Sequence, residues 1–280
     1  MTPVLLVTVS AALHAWWNFL VKRTGTGDVA VVWLFSVLGV PVTLAVTVYG
    51  AASGRLGPAW WAALVSMTLH TTYSVALQRA YARADLSIVY PVSRGAAPLL
   101  VLVLSLPVVG RPSAWEIVGI ALVVAGLGVM SGPHVPGRGR AAAVGAGLAV
   151  AACIAAYTLW DAYAVSSLDV SVVGYLAISG LAQSVVLTLV VLPRRRELPG
   201  IVGRFWRSAL AVTVLVPLSY GLVLVALESA SVAVVAATRS LNVVFATLLG
   251  MMLLREPRTA STLVGTGCIL AGVLAMAGAG

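Results

Sequence analysis

Arginine is costly inside a membrane-spanning helix, yet this chain places two there. Of its seventeen basic residues, Arg94 and Arg239 alone fall well inside long apolar runs. Burying one at the middle of such a helix costs about 2.5–3.5 kcal/mol on insertion scales. Each lies about eight residues into its expected helix, a depth of roughly 12 Å at 1.5 Å rise per residue. The guanidinium stays charged and its fork of donors matches a carboxylate or a phosphate. Two readings stand side by side. Either the arginines hold an anionic group of a substrate, or each pairs with a carbonyl or an acid and locks helix packing.

Other polar residues share these faces. At helical spacing Arg94 lies with Ser87, Tyr90, Pro91 and Pro98, and the two prolines are expected to free backbone carbonyls and make that helix irregular. Arg239 shares its face with Asn242, while Tyr73, Gln78 and Tyr220 are expected wall residues of a substrate site. His14, near the middle of the first apolar run, can take a proton or a substrate acid. Asp161 is an acid within an apolar run, close to its outer end, where interfacial solvation accounts for it. These two are the candidates for proton coupling; His70 resembles them but has no counterpart elsewhere in the chain. Neither a G-x-S-x-G elbow nor an H-E-x-x-H pair occurs, so no enzyme is expected. No metal or cofactor is expected, and Cys153 and Cys268 read as small buried residues rather than a disulfide.

The elements that must position these residues follow from composition. The 280 residues are 61% hydrophobic and 9% charged, against about 25% charged in a soluble domain. Backbone groups in lipid must be satisfied within a segment, and the continuous apolar runs make those segments helices. A bilayer core takes about 20 residues of helix. Ten spans are expected, at 2–21, 29–50, 59–80, 86–109, 114–131, 141–164, 170–192, 208–227, 231–254 and 259–279. The first is read as a retained helix, since no basic region precedes it and no small-x-small cleavage site follows.

The net charge of +9 does not indicate nucleic acid, because the basic residues are scattered between apolar runs. Odd-numbered joints hold thirteen Lys and Arg residues, whereas even-numbered joints hold only Arg55 and Arg111. Positive-inside bias therefore places the odd joints in the cytoplasm and both termini outside a cytoplasmic membrane.

The halves also repeat. "YARADLSIVYPVSRG" (81–95) aligns with "ALESASVAVVAATRS" (226–240) and pairs Arg94 with Arg239. "VGIALVVAGLGVM" (118–130) aligns with "VGTGCILAGVLAM" (264–276) and pairs Gly119 with Gly265 and Gly126 with Gly272. "HAWWNF" (14–19) lies against "YTLWDA" (157–162), matching Trp17 with Trp160 and Asn18 with Asp161; Trp17 is thereby a candidate cavity-wall residue. The glycines, seven apart, read as a face for close helix packing, with dimerisation through it as an alternative. The expected fold is thus all-α and integral to the membrane, ten helices in two inverted five-helix repeats. These repeats cover 1–131 and 141–280, with 132–140 as linker.

In order and spacing these segments resemble the drug/metabolite transporter superfamily, in particular its EamA-type ten-helix members. The resemblance rests on "HAWWNFLVKR", "ARADLSIVYP", "LLREP" and the glycine-spaced last span of each half. One departure is clear: the acid usual before the last helix is kept as Glu256, but Arg111 stands in its place in the first half. The resemblance implies transport of small metabolites, often coupled to an ion gradient. With the arginines, it leads to the expectation of a secondary transporter for anionic or zwitterionic metabolites, acting as monomer or homodimer. A lipid or lipid-phosphate carrier of the same fold is the alternative.

Overall fold

A computed structural model describes residues 2–23, 28–83, 86–109, 112–130, 140–168, 170–253 and 260–277. The described residues are almost wholly helical. The first half contributes α1 (Thr2–Arg23), α2 (Val29–Ala52), α3 (Ala62–Arg83), α4 (Leu86–Val109) and α5 (Ala114–Met130). The second contributes α6 (Arg140–Ser167), α7 (Val172–Val191), α8 (Leu198–Leu227), α9 (Val232–Thr238), α10 (Leu241–Leu253) and α11 (Ala260–Ala277). Among the described residues, seven stretches are long and apolar enough to cross a membrane, including Val232–Leu253, which runs through α9 and α10. Val92–Pro107 and Ala114–Met130 are shorter apolar helices.

Local chemistry accounts for where several helices begin. Ser113 and Glu116 form a reciprocal capping box at α5: the Ser113 hydroxyl accepts from the Glu116 N–H at 3.2 Å, and the Glu116 carboxylate accepts from the Ser113 N–H at 2.7 Å. Asp28 caps α2 by accepting from the Ala30 N–H at 3.0 Å. Least apolar of the long helices is α3. Its outward hydroxyls at Thr68, Thr72 and Ser74 bond back to the carbonyls of Leu64, Thr68 and His70, which satisfies them without water. Large exposed side chains such as Leu5, Val42, Val103, Val185, Leu218 and Leu274 give the bundle an apolar outer surface, the kind a lipid environment covers.

Two expected spans differ from the structure. α8 begins ten residues earlier than expected, at Leu198, so Arg204 and Arg207 stand on its first turns instead of in a joint. The ninth expected span is broken: Arg239 is the C-cap of α9, and four-residue turns from Ala237 to Ser240 and from Arg239 to Asn242 lead into α10. By contrast α4 runs unbroken through Pro91 and Pro98, so the irregularity expected there occurs instead in the matching helix of the other half.

Helix contacts come in sets that survive exchange of the two halves. α4 packs on α6 as α10 packs on α1; α1 packs on α8 as α6 packs on α3; α2 packs on α7, and α5 on α11. At the last pair the expected glycines meet one another. A Cβ on Gly119 would lie 2.6 Å from the Gly272 carbonyl oxygen, and one on Gly126 would lie 2.6 Å from that of Gly265. Because 119 faces 272 while 126 faces 265, the two helices run antiparallel. That glycine face is used within the chain and is not left for a dimer.

Arg194 joins two helix ends on one face of the bundle. It donates to both Asp28 carboxylate oxygens at 2.9 Å and to Glu197 at 2.6 Å. The Arg194 hydrogen bond, helped by that from Ala30, holds the Asp28 carboxyl below its ordinary value of 3.8. A carboxylate depressed on folding adds stability above its unfolded value, and this is lost as pH falls through the folded value. Asp28→Asn is therefore expected to lower the melting temperature at neutral pH. The gap to wild type should begin to narrow below about pH 4 and close only as pH falls through the lower folded value, which thermal denaturation across a pH series will measure.

Candidate functional site

Asp161 is wholly buried on α6, so interfacial solvation does not account for it. A buried carboxylate must instead be satisfied by protein donors, and four side chains from three other helices meet it. Ser66 of α3 and Tyr175 of α7 each donate to Oδ1 at 2.6 Å. Oδ2 accepts from the Tyr220 hydroxyl of α8 and lies 3.0 Å from His70 Nε2 of α3. That nitrogen is also 3.1 Å from the Tyr220 hydroxyl. The acid thus ties α3, α7 and α8 to α6.

A cavity of about 420 Å³, counted with the open space at its mouth, lies next to this cluster. Arg94 and Pro98 line it from α4, Ile154, Tyr157 and Thr158 from α6, Arg239 from the break between α9 and α10, and Asn242 from the start of α10. Both arginines therefore face one space. The Arg239 guanidinium carbon lies 5.5 Å from the centre of the Tyr220 ring and 5.8 Å from that of Tyr157, within the reach of cation–π attraction. No carboxylate among the described residues pairs with it. Arg94 donates to the Tyr73 hydroxyl at 3.5 Å, and Tyr73 meets Tyr157 edge to face at 5.5 Å. The Asn242 side-chain oxygen is buried without a hydrogen-bond partner.

Tyr157 and Tyr220 join the two features. Tyr157 carries His70 stacked on its ring at 4.1 Å, and it also lines the cavity beneath Arg239. Tyr220 reaches Asp161 with its hydroxyl and Arg239 with its ring.

Of the residues singled out in the sequence, Arg94, Arg239 and Asn242 are brought to the cavity itself, with Tyr73 and Tyr220 just behind it. His14 on α1 meets Trp17 edge to face at 4.8 Å. Trp17 is not part of the cavity lining. The side chains of Tyr90, Gln78 and Pro91 lie outside the described residues. Asn18, matched to Asp161, bonds to its own helix at the His14 carbonyl and joins no such cluster. Ser66, Tyr157 and Tyr175 gave no sequence signal, and His70 gave only that of an ionisable residue in an apolar run.

The sequence profile of the EamA-like transporter family matches residues 141–278. The fold is shared over nearly the whole chain with a solved crystal structure titled only as that of a protein. The two are 17% identical with a TM-score of 0.75, and the match covers 98% of this chain and 97% of that one. No curated protein matches this chain.

Proposed function

We propose that this chain, a member of the EamA-like transporter family through residues 141–278, is a secondary transporter of small anionic or zwitterionic metabolites. It works by alternating access between two inverted five-helix units in the cytoplasmic membrane. The observation that carries the anionic part is the convergence of Arg94 and Arg239 on one cavity, Arg239 with no acid partner among the described residues. A carboxylate or phosphate supplies what that guanidinium lacks, and it can accept in two places at once. The ammonium of a zwitterion would find Asp161 already engaged by four donors, so the geometry favours a net anion.

Three observations support alternating access by inverted units: the exchange-related helix contacts, the antiparallel α5–α11 pair, and the helix break at one of the matched arginines. Inverted repeats with discontinuous helices at a midplane site are a recurring transporter plan. Asp28 and Arg194 belong to the first and seventh joints, and their contact agrees with both lying on the cytoplasmic face.

The test is counterflow in proteoliposomes across amino acids, organic acids, phosphonates and cationic drugs. Anions are expected to be the accepted class. Arg94→Ala and Arg239→Ala should each weaken anion binding by about 30-fold or more, since losing one partner of a desolvated charge pair costs 2 kcal/mol upward. Transport unchanged in both variants would overturn the assignment.

A further inference from the structure

Resting on the anion site proposed above, we infer that His70 is the proton-binding residue of this transporter, and that proton uptake at its Nδ1 is linked to anion binding by Arg94 and Arg239. The geometry begins with the other ring nitrogen. Nε2 lies 3.0 Å from Asp161 Oδ2, and a buried carboxylate accepts there, which keeps the hydrogen of the neutral ring on Nε2. Nδ1 then carries the lone pair and has no partner among the described residues. The side chain is 28% exposed, whereas that of Asp161 is fully buried. Nδ1 is thus the acceptor in this cluster that no protein group occupies among the described residues.

The alternatives are less well built. Both oxygens of Asp161 already face donors from Ser66, Tyr175, Tyr220 and His70. A proton on either would break a hydrogen bond or turn a hydroxyl around. His14 has no acid partner among the described residues, so a proton there would have no carboxylate to offset its charge. His70 has its carboxylate in place.

The linkage follows from the charges that surround the ring. On its own helix stand Ser66 and Tyr73. From α6 come Asp161 and Tyr157, from α7 Tyr175 by way of Asp161, and from α8 Tyr220. Arg94 of α4 reaches Tyr73, and Arg239 lies over Tyr157 and Tyr220. With His70 neutral, the positive charge beside the cavity is that of the two arginines, with Asp161 opposing it. Protonation adds one positive charge, so an anion binds more tightly to the protonated form. By reciprocity, a bound anion favours protonation. The anion and the proton then cross together.

Isothermal titration of the full chain in detergent with sulfate tests this, because sulfate keeps its charge across the pH range in which imidazole titrates. Affinity is expected to fall about tenfold from pH 5.5 to 8.5, within the usual range of couplings between sites. Titration in buffers of different ionisation enthalpy should count proton uptake on binding near neutral pH. His70→Gln keeps an N–H donor toward Asp161, and it should bind sulfate with neither pH dependence nor proton uptake. If wild type binds sulfate without taking up protons, or His70→Gln keeps the pH dependence, the inference fails while the anion site stands. If His70→Gln does not fold, the wild-type proton count decides. Absence of sulfate binding at every pH would overturn the anion site itself, and this inference with it.

Discussion

Asp161→Ala is expected to destabilise the folded protein by about 3–5 kcal/mol, the scale for removing one member of a buried charged network. The loss is large because the acid serves four side chains at once. Without it, the hydroxyls of Ser66, Tyr175 and Tyr220 and the Nε2 of His70 lose a shared acceptor. A donor left buried and unpaired costs about 1–3 kcal/mol. The damage is also distributed, since the donors sit on α3, α7 and α8 while the acid sits on α6. Asp161→Asn keeps one oxygen acceptor and the same shape, so it should lose markedly less. Thermal unfolding of the purified chain in detergent, followed by thiol exposure at Cys153 and Cys268, will rank the two variants. An alanine variant as stable as wild type would mean that the network carries no net stability.

The second large effect is expected where α5 crosses α11. A single methyl on Gly126 would sit 2.6 Å from the Gly265 carbonyl oxygen and 2.8 Å from the Ile269 side chain. The obstacle is backbone on an antiparallel neighbour, which cannot turn aside as a flexible side chain can. Gly126→Ala should therefore cost about 1–3 kcal/mol, the usual scale of overpacking, and Gly126→Leu considerably more. Gly119, Gly265 and Gly272 make equivalent approaches, and alanine at each should behave alike. The controls lie on the same two helices. Gly128 and Gly267 have nothing within 4 Å of an added Cβ, so alanine there should be neutral or gain up to about 1 kcal/mol of helix propensity. Melting temperatures of the six alanine variants should fall into these two groups. A uniform response would show that the crossing tolerates separation.

Much of this architecture was legible before any contact was known. Apolar run length located the helices, because a chain in lipid has to close its own backbone hydrogen bonds. Capping at Asp28 and at Ser113 with Glu116 is equally local, since cap and capped N–H lie within three residues. The glycine spacing identified the packing face. What it left open was whether the partner was a helix of the same chain or a second copy, and the 119–272 and 126–265 approaches decide that. Repetition matched Arg94 with Arg239, and cost argued that neither faces lipid. Periodicity on each helix then supplied Asn242 as a neighbour.

The acid cluster was of another kind. Asp161 is separated from Ser66, His70 and Tyr220 by 95, 91 and 59 residues. No spacing rule connects residues that meet only because α3 and α8 pack around α6. The same holds for the break at Arg239. Thr238-Arg239-Ser240 contains neither glycine nor proline, whereas α4 keeps its helix through two prolines. Local propensity predicts the reverse, so the break is set by packing. By itself the sequence determined most of the helices, the charges at the joints and the pair of arginines within apolar runs, all consequences of local hydrophobicity and of the energy of charge in lipid. Only the tertiary structure decided that both arginines open into one cavity and that a buried carboxylate orients the histidine beside it. Those facts depend on distances between helices far apart in the chain, which packing fixes and periodicity does not encode.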